Sequence, residues 1–578
     1  MNTFKDIGNS QSITPNFLFI SLFVLFVGGA LPFLNPVTPR LNSDFMAFMG
    51  LGLFGLSSYF YLPRQATGFG LTSLGMLCGA WGIWAFVQYL AGINSAYFSY
   101  LLVSTSYLFA VVLLCAWVKM WVRAGLGGHL AQAFMSVVLI AGLLQAGGIW
   151  LQMLQLEEWL HPWLNRSAAF PRQGGFLGQP NLCASLMISA MVCLVFLKPQ
   201  EGEQSAKPTP WRLLAMAVML MAVYATSSRT GYLAVLLVSG LLFLLRKRLQ
   251  ISWVWVALIV WQLLVIALGE VLANTGLISG QLIDDSRKAV QASGTHRLQI
   301  LSDVWLLIQQ HPLMGVGWRQ LQVTEVLTPG IMEPVDHAHN LLLHIQVELG
   351  VLGTLSLLGF AAYWLFIKRP WQHANGPELA MVCVVMILGV HSMLEYPLWQ
   401  ALFLFMFGFA FSLLPEDTYP VRVPLVGIKA AALALLLLTA WFYVDHRKAV
   451  TAYERFSKNQ SLQEFLVAKK NAWWNELLFE SVLALDTPVN DQSREVIGII
   501  SKENANVFSQ SLFLNLPLLK VKILAGETAV ANQLAIRNCM NFPKESWAAV
   551  QAHLMELNEP RYLTWLAQLP ANVRQCKD

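Results

Sequence analysis

Residues 100–118 read YLLVSTSYLFAVVLLCAWV, an apolar stretch without a single charged side chain. A helix needs about 20 such residues to cross the hydrocarbon core of a bilayer. Residues 130–150, LAQAFMSVVLIAGLLQAGGIW, repeat the pattern a few residues later. Both stretches therefore predict transmembrane helices, and the fold depends on how many more the chain contains.

Similar apolar runs recur along most of the chain. They predict spans at 17–34, 45–62, 71–91, 100–118, 130–150, 182–197, 212–226, 230–245, 252–269, 341–367, 379–395, 398–414 and 425–444. The predicted fold class is all-α, a polytopic membrane bundle of about 12–13 helices with a large outer loop and a helical C-terminal domain. No small-residue cleavage site follows the first run, which predicts a retained span rather than a removed signal peptide.

The composition supports a membrane protein. Of the 578 residues, 56% are hydrophobic and 12% charged, and the mean hydropathy is +0.55. Soluble globular proteins carry roughly 25% charged residues, so this chain is not an ordinary soluble enzyme. The formal net charge of +5 is small, and the basic residues lie mainly in short loops, which argues against a nucleic-acid partner.

Basic residues in short loops also predict the orientation, because such loops stay in the cytoplasm. The loops share one side if every predicted span crosses, and they contain Arg64, Lys119 with Arg123, the segment 198–212, Arg246 to Arg248, and Lys368 with Arg369. The outer side then receives 152–181, 270–340 and the chain from about 445 onward.

This division predicts six consecutive regions. They are N-terminal transmembrane helices (1–154), an outer loop (155–181), transmembrane helices (182–269), a large outer loop (270–340), transmembrane helices (341–444) and a soluble helical C-terminal domain (445–578). In the last region apolar residues recur three or four apart, as in Leu462, Phe465 and Leu466, which indicates helices. We expect these helices to be paired and to break near Pro488, Pro517 and Pro543.

The seven cysteines show no metal-binding spacing. Five of them lie in apolar segments, where a thiol usually packs as a small hydrophobe. Cys539 and Cys576 both lie in the C-terminal region, and they are expected to pair only if that region faces an oxidising compartment.

Polar clusters at the outer ends of spans are the candidate site, because a charge at mid-helix costs about 2.5–3.5 kcal/mol on insertion scales. The strongest is Asp336-His337-Ala338-His339-Asn340, just before a predicted span. His339 is suited to accept a proton from a hydroxyl, with His337 and Asp336 as alternative bases. The competing interpretation is a helix cap.

Arginines mark two further outer positions. Arg229, in the turn TSSRTG at 226–231, is surrounded by hydroxyl and backbone donors that suit a phosphate, although the turn could equally be anchored structurally. The segment from Thr295 to Arg319 predicts an amphipathic helix in the large loop, with one or both of Arg297 and Arg319 facing the site. Two weaker clusters are GQPN at 178–181 and HSMLEYPL at 391–398.

Together these clusters resemble a known family. His339-Asn340 followed by Gly350 and Gly353, with the Ser228-Arg229-Thr230-Gly231 turn before it, resembles the O-antigen ligase and Wzy polymerase superfamily. RQGGFLGQPN at 172–181, and His391-Ser392 with Glu395-Tyr396-Pro397-Leu398, are similar to motifs of bacterial protein O-oligosaccharyltransferases (PglL type). The resemblance covers roughly residues 155–415.

The resemblance implies transfer of a preassembled oligosaccharide from undecaprenyl pyrophosphate to serine or threonine of an exported protein such as a pilin. It also implies a multi-pass protein of the bacterial inner membrane with a periplasmic active site. Arg229 and Arg297 are the expected pyrophosphate cations, and His339 is the expected base. Direct attack at the anomeric carbon implies inversion.

Further substrate-binding residues are expected from the resemblance and from position in these clusters: Gln179, Asn181, Arg319, His337, Asn340, Glu395 and Tyr396. Gln179 and Tyr396 match family positions linked to activity and are expected to hold sugar or phosphate. Glu395 is expected to orient His339 or Arg229. No Asp-x-Asp motif is present, so neither a metal nor a cofactor is expected.

Three alternatives compete with this interpretation. The first is another activity of the same superfamily, either an O-antigen ligase or a polysaccharide polymerase. The second is a transporter of lipid-linked glycans, but transporters tend to place polar residues near the membrane midplane. The third is a noncatalytic assembly protein, for which the grouping of His339, Arg229 and Arg297 would be accidental.

Overall fold

A computed structural model describes residues 14–32, 39–62, 68–94, 98–166, 172–197, 209–249, 297–328, 330–331, 334–374, 376–416, 418–422, 424–459, 467, 488–508, 512–541 and 544–575. The predicted span at 252–269, the periodic stretches of the tail between 460 and 487 apart from residue 467, and Cys576 lie outside these residues. The all-α polytopic fold class is confirmed.

The first half of the described chain contains eight helices. They are α1 (Thr14–Phe26), α2 (Pro39–Tyr61), α3 (Ser73–Leu90), α4 (Phe98–Arg123), α5 (Gly127–Met153), α6 (Pro180–Phe196), α7 (Pro210–Ala225) and α8 (Arg229–Leu249). The chain then continues with α9 (297–310) and with α10 (Leu321–Leu327), α11 (Leu341–Ala362), α12 (Pro370–His373), α13 (Pro377–Ser392), α14 (Ala401–Leu413) and α15 (Leu425–Asn459).

Within the described residues, six helices are long and apolar enough to cross a membrane. They lie at Ser73–Leu90, Phe98–Arg123, Gly127–Met153, Arg229–Arg246, Leu341–His373 and Val426–Thr451. Five shorter apolar helices coincide with other predicted spans, at Asn16–Ala30, Pro180–Phe196, Pro210–Ala225, Pro377–Ser392 and Ala401–Leu413. The chain is therefore a multi-pass membrane protein.

The chain divides into two compact units. The first comprises residues 1–79, 107–297 and 357–440, and the second comprises 80–106, 298–356 and 441–578. Several helices, among them α3, α4, α11 and α15, contribute residues to both units, and the six consecutive regions stay a prediction.

Small residues let the central helices of the first unit approach closely. A Cβ added to Gly142 on α5 would lie 2.3 Å from the Cβ of Ala190 on α6, so only glycine fits there, as is common between membrane helices. Aromatic rings fill the adjacent core: Phe134 stacks on Phe409 with centroids 4.8 Å apart, and Phe26 meets Phe409 edge-on at 5.6 Å. Burial and close packing thus fix α1, α5, α6 and α14.

Two details of the first unit differ from the sequence prediction. Lys119 and Arg123 are not in a loop but in the last turns of α4, and the buried Lys119 donates from Nζ to the carbonyl of Leu414 at 2.7 Å. This bond satisfies a carbonyl at the end of α14, where the helix itself offers no donor. An unpredicted antiparallel ribbon also pairs β1 (Gly68–Leu71) with β2 (Tyr419–Arg422).

The tail of the second unit is helical. It contains α16 (Arg494–Phe508), α17 (Leu512–Leu524), α18 (Thr528–Asn541), α19 (Lys544–Glu556), α20 (Pro560–Gln568) and α21 (Ala571–Gln575). The predicted break at Pro517 is wrong, because Pro517 lies inside α17. Leu518 and Leu519 directly after it are 1% and 0% exposed in the tail core, and their burial offsets the hydrogen bond that proline removes.

Candidate active site

Two amide side chains hold the glycine-rich loop of the first unit. Gln152 on α5 accepts at Oε1 from the backbone N–H of Gly175 at 2.9 Å. Gln145, two turns earlier on the same face of α5, accepts at Oε1 from Phe176 N at 3.1 Å and Leu177 N at 3.3 Å. Both glutamines are almost fully buried. The motif analysis missed them, although an amide inside an apolar span is itself a signal of a polar role.

The loop ends at a helix cap. Gln179 precedes α6, and its Oε1 accepts from the backbone N–H of Leu182 at 2.7 Å. Pro180 occupies the first helical position, where its missing N–H costs nothing. The oxygen of Gln179 is therefore committed to the backbone, which leaves its amide nitrogen as the atom to offer a sugar or phosphate.

Asn181 is the centre of a buried hydrogen-bond network. Its Oδ1 accepts from Arg172 Nη2 at 2.9 Å and from Ser228 Oγ at 2.7 Å. Its Nδ2 donates to Glu395 Oε1 at 3.1 Å, and the same carboxylate forms an ion pair with Arg297. One short amide thus connects the glycine-rich loop, the arginine turn and the segment after α13.

Local backbone geometry places the arginine turn against this network. The Ser228 hydroxyl accepts from the backbone N–H of Gly231 at 2.9 Å, an N-terminal cap for α8. A Cβ on Gly231 would lie 2.8 Å from Ala184 on α6, so the turn can approach that helix only with glycine there. Arg229 then begins α8 with an exposed side chain.

Three arginines interact electrostatically around the one carboxylate of this cluster. Burial lowers the pKa of Arg172, and the charges of Arg297 and Arg229 lower it further, whereas Glu395 raises it. Arg172 also donates from Nε to the carbonyl of Thr226 at 3.0 Å. The cluster therefore carries more positive than negative charge, which suits a phosphate or diphosphate ligand. Arg172 was quoted in the motif but was not predicted as a site residue.

The C-terminal signature, His391-Ser392 with Glu395 to Leu398, holds the cluster through buried side chains. His391 on α13 is fully buried, and its Nδ1 lies 2.8 Å from Ser185 Oγ on α6. Four residues later Glu395 is 6% exposed, and the half-buried Tyr396 precedes the short 3-10 turn Pro397–Trp399. His391 thus ties α13, the helix that precedes Glu395, to α6, whose second residue is Asn181.

In the second unit, α11 is broken at Gly350. Gly350 has φ 70°, and a Cβ there would lie 2.1 Å from the carbonyl oxygen of Leu313. The break lets the loop at 313–317 pair with the helix backbone: Val316 N donates to Val347 O at 2.8 Å, and Val351 N donates to Leu313 O at 3.1 Å. Gly350 of the histidine motif therefore permits a close backbone approach.

A buried glutamine and a buried contact between a histidine and a glutamate brace this break. Gln88 on α3 donates from Nε2 to the carbonyls of Met314 at 2.6 Å and Glu348 at 2.8 Å. Glu348 Oε2 in turn lies 3.2 Å from His344 Nε2, and both side chains are about 1–2% exposed. The Glu348 side chain therefore contacts His344, a buried histidine one turn earlier on α11.

The histidine motif lies immediately before α11. Asn340 caps that helix, because its Oδ1 accepts from Leu343 N at 3.1 Å. His339 has φ 50°, a left-handed conformation that non-glycine residues rarely adopt. The rings of His337 and His339 meet edge-on with centroids 4.1 Å apart, and His337 Nε2 lies 3.4 Å from Asp336 Oδ1. Strain of this kind often accompanies functional positions.

The expected site residues thus fall into two groups. The first unit brings together Asn181, Glu395 and Arg297. Tyr396 follows Glu395 in the chain, Arg229 follows Ser228, and Gln179 caps the helix on which Asn181 lies. The second unit contains Arg319, His337, His339 and Asn340. Arg319 has φ 61° and does not lie on a helix. Among the described residues, no group of three His, Cys, Asp or Glu is arranged to hold a metal ion.

Models of two protein families match parts of the chain. A family model described as O-antigen ligase matches residues 214–358, which include the arginine turn and the histidine motif. A second, described as the C-terminal part of a membrane-bound polymerase that is a virulence factor, matches 379–493. Two stretches of the chain are thus similar to the O-antigen ligase family and to the membrane-bound polymerase family. The predicted superfamily and the glycosyltransferase class of enzyme are both confirmed.

Two proteins of known name are similar to parts of the chain. A general O-oligosaccharyltransferase of Acinetobacter baylyi is 26% identical over 470 residues, covering 76% of this chain and 77% of the relative. A Rickettsia conorii protein, whose name gives polysaccharide ligase as its provisional function, is 24% identical over 234 residues, or 38% of this chain and 52% of the relative. The predicted resemblance to the protein O-oligosaccharyltransferases is thereby confirmed.

Proposed function

We propose that the chain transfers an oligosaccharide en bloc from undecaprenyl pyrophosphate to serine or threonine hydroxyls of exported proteins, such as a pilin. The observation that carries this proposal is the arginine cluster around Asn181 and Glu395, whose excess positive charge suits a diphosphate. The similarity to a general O-oligosaccharyltransferase along 76% of the chain supports the protein acceptor.

In the proposed reaction the acceptor hydroxyl oxygen attacks the anomeric carbon of the donor sugar. The bond from that carbon to the pyrophosphate oxygen breaks, undecaprenyl pyrophosphate leaves, and the configuration inverts. Arg229 and Arg297, with Arg172 added, stabilise the negative charge that develops on the leaving group. His339 takes the proton of the acceptor hydroxyl, an assistance typically worth about 10²–10⁴-fold.

The other expected site residues receive supporting roles. Gln179, through its free amide nitrogen, and Tyr396 hold sugar or phosphate by hydrogen bonds, while Asn181 and Glu395 orient the arginines rather than His339. Arg319, His337 and Asn340 hold the acceptor side of the reaction. No metal is assigned, because the arginines already supply the positive charge that a diphosphate leaving group requires.

The proposed location is the bacterial inner membrane, with the reacting groups facing the periplasm. Cys539 in the tail is disulfide-bonded, whereas the five cysteines of the membrane helices are free and buried. Disulfides persist in oxidising compartments such as the periplasm. This supports a tail outside the cytoplasm, on the side expected from the basic loops.

An O-antigen ligase or a polysaccharide polymerase is the second candidate, because both family models and one relative bear such names. The donor chemistry is the same in each case, and only the acceptor hydroxyl differs. A test must therefore identify the acceptor.

The test is to produce the wild type, His339→Ala and His311→Ala in a host that makes a polyprenyl-linked glycan together with a pilin. His311 is an exposed histidine of the same unit and serves as the matched control. Intact-mass analysis of the exported pilin is the readout, with membrane levels of each variant measured. We expect a glycan-sized mass with the wild type and with His311→Ala, and its loss with His339→Ala.

Two outcomes would change the proposal. If the glycan mass persists with His339→Ala, the base is another group, with His337 the first to test. If no variant modifies the pilin while O-antigen attachment or chain length changes, the acceptor is a glycan and the ligase or polymerase assignment replaces the present one.

A further inference from the structure

The tail of the second unit forms a common core with the helix that precedes the histidine motif. Val323 and Val326 on α10 are each 2% exposed and belong to the same apolar cluster as Leu534, Ala535 and Trp547 of the tail. Removal of such apolar side chains from water is the main favourable contribution to folding. The tail and α10 are therefore parts of one folded body.

Arg537 fastens the segment that follows α10. This side chain of α18 is 5% exposed and donates from three nitrogens to backbone carbonyls: Nη2 to Glu325 at 2.7 Å, Nη1 to Val326 at 2.8 Å and Nε to Ile331 at 2.9 Å. Carbonyls at a helix end lack intrahelical partners, and a guanidinium presents several donors in one rigid plane. One arginine thus closes the end of α10 and holds the chain beyond it.

Gln533, one turn earlier on α18, holds the same segment. Its Nε2 donates to the carbonyls of Thr328 at 2.7 Å and of Ile331, and its Oε1 accepts from Gly330 N at 3.0 Å. The side chain is 5% exposed. Two tail residues therefore bind the backbone at the described positions between 325 and 331, using every polar group that Gln533 offers.

Glu325 passes this fixation to the histidine motif. Its buried carboxyl accepts at Oε2 from the backbone N–H of Val335 at 2.6 Å, the residue directly before Asp336. On the other side of the motif, Ala338 N donates to His344 Nδ1 at 3.3 Å. The residues between these two anchors include His337 and end next to the strained His339.

We propose that the C-terminal helical domain is a positioning element for the histidine motif, acting through Arg537 and Gln533 on the 325–331 segment and through Glu325 on Val335. This role presupposes the transfer reaction proposed above. A left-handed backbone at His339 persists only where its surroundings hold it, and the tail supplies one of the two anchors. Arg537 is a positioning residue, because it touches the backbone of the loop and not the reacting groups.

Hydrogen exchange tests the positioning directly and does not depend on activity. We would compare the full-length protein in detergent with Arg537→Ala, Arg537→Lys and Gln533→Ala. Arg561→Gln is the control, since Arg561 is a tail arginine that pairs with Asp491 and Glu559 at the surface. We expect amides of 334–343 to exchange at least about tenfold faster in Arg537→Ala, with a smaller effect in Arg537→Lys and none in Arg561→Gln.

Transfer kinetics supply the second readout. A misplacement of about 1 Å costs on the order of 10²-fold in rate, so kcat should fall by about 10–100-fold in Arg537→Ala while KM for the donor stays within about twofold. Arg537→Lys should recover part of kcat. If the wild type modifies no protein, the transfer function fails, but the exchange measurement still decides the positioning role.

Two results would overturn the proposal. The first is unchanged exchange at 334–343 in both Arg537→Ala and Gln533→Ala. The second is that protection at 334–343 is lost only together with protection of 544–575 in both variants, because Arg537 and Gln533 would then stabilise the tail fold and nothing more specific.

Discussion

Asn181→Asp is the sharpest test of the arginine cluster, because the substitution keeps the shape of the side chain and changes one contact. The oxygen that accepts from Arg172 and Ser228 remains, but the donor that faces Glu395 Oε1 at 3.1 Å becomes a carboxylate oxygen. Two unit charges about 3 Å apart repel by about 5 kcal/mol at an effective dielectric constant of 20. A stronger charge-assisted bond from Arg172 returns about 1–2 kcal/mol.

The net cost of Asn181→Asp is therefore about 3–4 kcal/mol, equivalent to a factor of about 150 to 1,000. We expect the thermal midpoint of the purified protein to fall by several degrees and the rate of glycan transfer to fall at least tenfold. The double variant Asn181→Asp with Glu395→Gln restores a donor opposite an acceptor and keeps one negative charge in the cluster. It should recover much of both losses relative to Asn181→Asp alone.

The assay compares the wild type, both single variants, the double variant and Asn181→Ala by thermal unfolding and by intact mass of the acceptor. The coupling energy between positions 181 and 395 follows from the double-mutant cycle. The network would be refuted if Asn181→Asp behaved like the wild type, or if the double variant were no better than the worse single variant.

Three further predictions follow from other contacts. Arg229→Ala should lower transfer with little loss of stability, since its side chain is exposed, whereas Arg297→Ala should lower both because it leaves the buried Glu395 without its ion-pair partner; equal losses of thermal midpoint would contradict this. Burial raises the pKa of Glu325 to about 8, so its contribution to stability is fully present below about pH 4.5 and is lost as pH rises through 8. Glu325→Gln, which keeps the acceptor for Val335, should flatten that dependence in thermal unfolding scans between pH 5 and 9, and an unchanged slope would exclude the raised pKa. Cys539→Ser should destabilise the tail by about 2–4 kcal/mol, seen as faster proteolysis of 544–575 under oxidising conditions only; equal sensitivity after reduction of the wild type is the matching control.

The membrane architecture could be predicted because hydropathy over about 20 residues is a local property of the sequence. The motif residues could be proposed for a similar reason: Arg229, His339 and Glu395 are polar residues next to strongly apolar stretches. Their partners could not be found in this way. Gln145 and Gln152 receive the backbone of a loop more than twenty residues away, and the contact exists only once α5 and that loop have packed together.

The sequence also could not predict the role of each residue within the motifs. Asn181 and Gln179 are two residues apart in one motif, yet Gln179 caps α6 while Asn181 joins three segments of the chain. The residue types alone do not show which of the two caps a helix and which connects several segments. The tail shows the same limit, since Arg537 differs from other tail arginines only in where its guanidinium lies after folding.

The position of Glu395 explains how three arginines can share a small volume before a donor arrives. Arg172, Arg229 and Arg297 would repel one another, and the carboxylate of Glu395 offsets part of that repulsion while Asn181 fixes Arg172 in place. A diphosphate carries more negative charge than one carboxylate, so its binding completes a neutralisation that Glu395 leaves unfinished. Cations that are already oriented need little reorganisation when charge develops on the leaving group. We therefore expect Glu395 to set the geometry of the arginines and not to take the proton, and Glu395→Gln to lower the rate without changing its pH profile.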